Sequence, residues 1–420
     1  MFKKEIPIIF IGLYAVIAAL VLGWSVFVRE EAVVPVQAPV VGDKLIEDSE
    51  NDDAVSDDVE NDIFDIESNN VSESNDLNGK IYKMVDISDK FLFVENSSVH
   101  PMKTPHSSLP DTIHILDILK SNKPIVSIET NILPEERTSY KLFEDRIYFF
   151  SRKDKMVEWM DFNGNIYKLA FTKVDDWTYS NYFLISPNNQ KIIWVETSGW
   201  DENNKMNSKL VLADLDGQNK KILLEKSFGF REEKYFQPIR WSNSNEEIYF
   251  TEQHGGLGGY FVFFNPINLS KANINTGKIE HLFDEGRVGD ISPNEEFMAY
   301  FAWKEYKPKT IIRNMKTGTE NIFDIPIEEN FKLGGNAYFS PDNKYLVYNI
   351  AYHNPDNERF RTIVVGSTKK EQKTIVDDPQ KKYEVMGWVS NDKILLCDFD
   401  DNTYIVNIDG SDFKKIGITE

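Results

Sequence analysis

Two histidines in this chain of 420 residues stand beside carboxylates: His254 follows Glu252 by two positions, and His353 precedes Asp356 by three. Imidazole and carboxylate together are donors for a borderline divalent metal, and they are also the groups a carbohydrate lyase or hydrolase uses as general acid and base. Around them, in otherwise polar stretches, stand Trp200, Tyr260, Trp303, Tyr306 and Tyr352. Exposed rings of this kind are favoured at protein interfaces and stack on sugars. Ligation requires donors that converge within a few ångströms, which sequence spacing does not supply, so no metal ligand, catalytic residue or cofactor is assigned. Trp200, His254, Tyr260, Trp303, Tyr306, Tyr352 and His353 are the candidate binding residues, with the rings ahead of the imidazoles.

Other chemistry is absent or has a plainer reading. The glycines between His254 and Tyr260 lack the Lys-Ser/Thr that follows a phosphate loop, and they read as a flexible connection. Asp161 to Asn165 lacks the spaced ligands and terminal Glu of a calcium loop and reads as a hairpin turn. There is no Gly-x-Ser-x-Gly nucleophile elbow. Cys397 is the single cysteine, so no intramolecular disulfide or thiolate metal site supports the fold.

The elements that must position these residues repeat along the chain. Ser186-Pro187-Asn188-Asn189, Ser292-Pro293-Asn294-Glu295 and Ser340-Pro341-Asp342-Asn343 each run into an apolar strand, and Trp241-Ser242-Asn243-Ser244 has lost only the proline. Weaker copies begin near Ser88, Glu144 and Ser390. After each strand comes a second turn, ending in glycine at Gly164, Gly217, Gly277, Gly318 and Gly410, where Asn or Asp can bond its own backbone and glycine takes positive φ freely. With the strand entering each Ser-Pro turn, every unit supplies four short strands. Units start at 88, 144, 186, 242, 292, 340 and 390, spaced by 56, 42, 56, 50, 48 and 50 residues. Four-stranded units at that period are propeller blades, so the chain is all-β, with seven blades fitting best and six if the first unit is an irregular cap. In a blade the connection from second to third strand opens on the face of the blade-to-blade connections, and the candidate binding residues fall there.

The Ser-Pro-Asp/Asn turn, the apolar strand and the Asp-x-x-Gly turn resemble the PD40 repeats of TolB-like propellers, which are themselves similar to the propeller domains of prolyl-oligopeptidase-type enzymes. The resemblance covers about Gly79 to Glu420. It implies a binding platform in the cell envelope and supplies no catalytic residue. The chain departs from TolB in lacking a separate N-terminal α/β domain and in carrying an anchor where TolB has a cleaved signal.

That anchor is residues 6–28, a run free of charge and long enough as a helix to cross a bilayer; a cleaved signal peptide is the competing reading, against which the run is longer than the usual signal core and its small residues Ala15, Ala18 and Ala19 lie inside it. Lys3 and Lys4 precede it, so residues 1–5 are expected in the cytoplasm and the rest outside. Residues 29–78 form a Pro-containing and then acidic linker; from Asp43 to Asp76 there are fourteen acidic residues and one lysine, too little apolar surface to fold. The propeller occupies 79–420. A net charge of -21 excludes a nucleic-acid partner, because phosphate would be repelled. The sequence therefore predicts a single-pass, extracytoplasmic propeller that binds an envelope protein or a cell-wall glycan. The other reading is a propeller enzyme, a carbohydrate lyase or hydrolase, working through His254, His353 and their carboxylates.

Overall fold

The computed structural model describes residues 81–87, 91–96, 111–116, 124–130, 137–175, 180–229, 234–254, 266–325, 334–352, 359–378, 380–399 and 402–416. Residues 6–28 and the acidic linker lie outside them, and among the described residues no helix is long and apolar enough to cross a membrane.

Among the described residues, seven four-stranded antiparallel sheets follow one another along the chain. Sheet 1 holds β1 (Ile81–Ile87), β2 (Phe91–Asn96), β3 (Asp111–Leu116) and β4 (Val126–Thr130). Sheet 2 holds β5 (Arg137–Phe143), β6 (Arg146–Ser151), β7 (Met156–Asp161) and β8 (Ile166–Lys168); sheet 3 holds β9 (Phe183–Ile185), β10 (Lys191–Thr197), β11 (Lys205–Asp214) and β12 (Lys221–Gly229). Sheet 4 holds β13 (Lys234–Trp241), β14 (Glu247–His254), β15 (Ile267–Asn273) and β16 (Ile279–Phe283); sheet 5 holds β17 (Arg287–Ile291), β18 (Phe297–Lys304), β19 (Lys307–Asn314) and β20 (Glu320–Asp324). Sheet 6 holds β21 (Gly335–Phe339), β22 (Tyr345–Tyr352), β23 (Arg359–Gly366) and β24 (Gln372–Asp377); sheet 7 holds β25 (Tyr383–Trp388), β26 (Lys393–Asp398), β27 (Thr403–Asn407) and β28 (Lys414–Lys415).

First strands neighbour one another, as β1 with β5, β9 with β13, β17 with β21, and β21 with β25, so they line the axis of a propeller. β1 also lies against β27, which closes the ring without any sheet mixing strands from both ends of the chain. A separate apolar cluster fills each successive interface. Between sheets 5 and 6, for example, Phe301 and Ile312 meet Leu346, Tyr348 and Ile350, while Val347 on the opposite face of β22 joins the cluster with sheet 7. That alternation is the two-residue period of a strand buried on both faces.

The Ser-Pro turn is built from the serine. Ser340 Oγ accepts the Tyr345 N–H at 3.0 Å and donates to Asp342 Oδ1 at 2.8 Å, and the same pair of bonds recurs at Ser186 and Ser292. The fourth turn residue takes positive φ: Asn245, Glu295 and Asn343 at 61°, 60° and 63°. Its side chain reaches the preceding sheet, where Asn245 accepts the Asn188 N–H, Glu295 the Asn243 N–H and Asn343 the Asn294 N–H. The polar residues of the repeat thus stitch turn to turn around the ring. Ser340→Ala is expected to lower stability by about 1–2 kcal/mol, because it strips the turn of the two bonds made by a fully buried serine; urea denaturation measures the loss. All five glycines of the second turn have positive φ, from 71° to 87°.

Inner strands deviate from regular pairing. Bulges or irregularities interrupt the first ladder in sheets 1, 2, 4, 5, 6 and 7, leaving backbone groups that the ladder does not serve. Side chains of the preceding sheet also accept backbone N–H groups of three first strands. Ser208 Oγ accepts the Phe236 N–H at 3.0 Å, Asp290 Oδ2 the Phe339 N–H at 2.8 Å, and Asn349 Oδ1 the Val385 N–H at 2.6 Å. Gly334 is required where sheet 6 begins, since a Cβ there would sit 2.6 Å from the Phe301 ring.

Candidate functional site

Among the described residues the three most exposed large hydrophobic side chains are aromatic: Tyr306 at 99%, Phe399 at 60% and Trp303 at 58%. All three stand at second-to-third connections, on the face the sequence selects, and Trp200 joins them there at 39%. Exposed isoleucines lie elsewhere, Ile166, Ile222, Ile279 and Ile322 on fourth strands at the rim.

Trp303 and Tyr306 share one tight hairpin. Lys304 pairs with Lys307, leaving Glu305 and Tyr306 as a two-residue turn with φ of 53° and 60°. Such a turn favours Asn-Gly, because a side chain in the left-handed region crowds its own backbone at about 1–2 kcal/mol. A bulky ring held there with no contact that explains its place is a costly choice for the fold alone. Beside it, Lys304 is ion-paired with Glu320 at 2.6 Å and Lys309 with Asp324, while Lys307 is exposed.

The other candidates do not gather at this hairpin. Trp200 belongs to sheet 3 and His254 ends β14 in sheet 4. Tyr352 ends β22, and its side chain, together with Tyr260 and His353, lies outside the described residues, as does Asp356. Glu252, the carboxylate nearest His254 in sequence, is held by Lys226 at 2.5 Å, Lys234 at 3.5 Å and Asn268 at 2.8 Å. Burial alone would push its pKa up, but these partners carry it below the usual carboxylate value, which suits an ion pair and not a general acid. Among the described residues no group of three or more His, Cys, Asp or Glu side chains is placed to hold a metal ion. Asp161 accepts the N–H groups of Asn163 and Asn165, as a hairpin turn does.

One arrangement has the residue types of a nucleophilic triad. Ser270 Oγ lies 3.3 Å from His281 Nδ1, and His281 Nε2 lies 3.5 Å from Asp284. Ser270 and His281 are directly opposed on β15 and β16, with the hydroxyl mid-strand and buried, so this is a cross-strand contact that joins the sheet.

The opposite mouth of the channel, at the Ser-Pro turns, holds a cavity of about 460 Å³ bounded by the ends of β5, β9, β13 and β17. Arg240 on its wall donates to the Ile291 and Ser292 carbonyls at 2.9 and 2.8 Å and fixes the neighbouring turn. Burial pushes the Asp290 carboxyl up to about 6, against the lowering effect of the Phe339 and Ile291 N–H bonds and the Arg240 charge.

Sequence reasoning missed Phe399 because the connection rule was applied to units 1 and 3 to 6; in the seventh, Cys397-Asp398-Phe399 is the corresponding stretch. It could not reach Asp290 or Asn349, whose partners lie 49 and 36 residues away.

No family model matches the chain, and no curated protein matches it either. Solved structures do. Oligogalacturonate lyase from Vibrio parahaemolyticus aligns at 9% identity over 78% of this chain and 90% of its own, with a TM-score of 0.50. A putative TolB from Agrobacterium tumefaciens shares 14% identity over 59% and 82% at a TM-score of 0.36, and TolB from Acinetobacter baumannii 11% over 73% and 76% at 0.34. At 9% identity the likeness to the lyase is one of fold, and it agrees with the propeller that the strand order describes.

Proposed function

We propose that this chain is a binding platform, anchored by residues 6–28 and held outside the membrane on its acidic linker, that engages a protein partner in the cell envelope. The observation that carries this reading is the β18–β19 hairpin, where Trp303 and the fully exposed Tyr306 project from a turn that would be more stable with glycine. Rings raised on a convex tip fit pockets of a partner, as buried aromatic anchors do in protein interfaces. Sugar recognition by contrast uses rings that floor a groove, so a protein is favoured over a glycan. The TolB-like turns support the same address.

A photoreactive benzophenone side chain at position 306 of the full-length chain, in the cells that make it, is expected to give one protein adduct that disappears with Trp303→Ala. An adduct identical to that from rim position Ile166 would sink the assigned face, and an adduct released by glycan hydrolases would replace protein by glycan. Tyr306→Gly carries the complementary expectation: stability higher by about 1 kcal/mol and partner capture lost, since glycine relieves the left-handed turn and removes the anchor.

A further inference from the structure

The geometry points to a second binding site, at the channel mouth opposite the aromatic hairpin: the cavity among the Ser-Pro turns takes a zwitterionic α-amino acid with a large apolar side chain. At about 460 Å³ the cavity lies at the small end of the roughly 300–1,000 Å³ range of ligand pockets. Its apolar wall comes from neighbouring sheets. Phe143 of β5, Leu184 and Ile185 of β9 and Ile239 of β13 line it and are only half-buried, so apolar surface there stays open to water. A hydrocarbon side chain in the cavity covers that surface, which drives binding.

The charged groups on the same wall set what the rest of the ligand must be. Arg240 of β13 and Asp290 of β17 both line the cavity and both are part-exposed. They stand close together, because Arg240 Nη1 donates to the carbonyl of Ile291, the residue after Asp290, at 2.9 Å. Each is nevertheless bonded to backbone. Arg240 Nη1 also donates to the Ser292 carbonyl at 2.8 Å, while Asp290 accepts the Ile291 N–H at Oδ1 and the Phe339 N–H at Oδ2, both at 2.8 Å. A carboxylate has about four acceptor sites, so two N–H bonds leave capacity for a ligand ammonium. Arg240 Nη2 carries two hydrogens and its bond to the Pro293 carbonyl is long, at 3.4 Å, so this nitrogen can donate to a ligand carboxylate. Lys141 of β5 adds positive charge to the wall. A purely cationic ligand would be repelled by Arg240 and Lys141, and a purely anionic one by Asp290; a zwitterion is attracted by both signs. Because Arg240 and Asp290 are close, the two ligand charges must be close as well, as they are on the α-carbon of a free amino acid. In a longer peptide the termini are further apart.

Isothermal titration of the full-length chain with L-phenylalanine, phenethylamine and hydrocinnamate tests the site, since the second compound lacks the carboxylate and the third the ammonium. The expected result is binding of phenylalanine, with affinity at least tenfold lower for each truncated compound, the effect of losing one charge-assisted bond. In an Asp290→Asn chain phenylalanine should bind at least tenfold more weakly, while hydrocinnamate is bound no less tightly than by the parent. That variant keeps a carbonyl for the Phe339 N–H, and far-ultraviolet circular dichroism checks that its propeller is intact. Equal affinity for the three compounds, or tighter binding of a truncated one, would overturn the zwitterion. Phenylalanine bound equally by parent and variant would overturn the role of Asp290, and no heat from any compound would remove the site. None of these outcomes touches the reading of the β18–β19 hairpin, which stands at the other mouth and is tested by crosslinking.

Discussion

An Asn349→Ala chain is expected to be less stable than the parent by about 3 kcal/mol, the largest loss anticipated for a single polar side chain here. Asn349 is fully buried on β22. Its amide donates to the Tyr383 carbonyl at 3.0 Å and to Thr362 Oγ1 at 3.3 Å, and its oxygen accepts the Val385 N–H at 2.6 Å. Alanine deletes all of these and leaves a donor and an acceptor of β25 buried without them, and each such orphan costs about 1–3 kcal/mol. The change removes the polar tie between sheets 6 and 7, so the loss should appear in the unfolding of the whole ring. Urea denaturation followed by tryptophan fluorescence measures it; a shift below about 1 kcal/mol would show that the interface rests on its apolar cluster alone.

The second large effect concerns pH. Asp290 occupies the comparable position between sheets 5 and 6, but its side chain titrates. Its folded pKa of about 6 lies above the ordinary value of 3.8, so the folded chain binds this proton more tightly than the unfolded chain does. The ionised form in the fold is therefore disfavoured, and stability gained from this group rises as pH falls from about 7 through 6 and levels off below about 4. Between pH 7 and pH 5 the gain is about 1.3 kcal/mol. Asp290→Asn keeps a carbonyl for the Phe339 N–H and has no charge to bury. The stability of the parent relative to this variant should increase by about that amount on going from pH 7 to pH 5. A difference that is flat across this range, or that falls, would mean the carboxylate is neutralised by Arg240 at neutral pH.

The candidate site divides in the same way as the fold. The placement of Trp303 and Tyr306 on a second-to-third connection was legible because the hairpin that presents them is local: a two-residue turn between two paired strands. Phe399 obeys the same connection rule and was legible in principle. The expected meeting of His254 with a free carboxylate was not, because Glu252 is claimed by Lys226 on β12, a residue 26 positions away in a different sheet. A fold of stacked sheets brings such partners together by the packing of one blade on the next, and sequence spacing carries no record of it.

By itself the sequence determined the all-β class, the four-stranded unit and the sites of both turns, since each rests on bonds a few residues long. Ser340 bonding Tyr345 and Asp342, and glycine at 318 taking a φ of 73°, are written in adjacent residues. The tertiary structure alone decided which polar side chains tie the sheets together, that Asp290 bonds the Phe339 N–H of the next sheet, and that Glu252 is ion-paired with Lys226. Those outcomes depend on contacts between residues tens of positions apart, formed only once the ring has closed and water has left the interfaces.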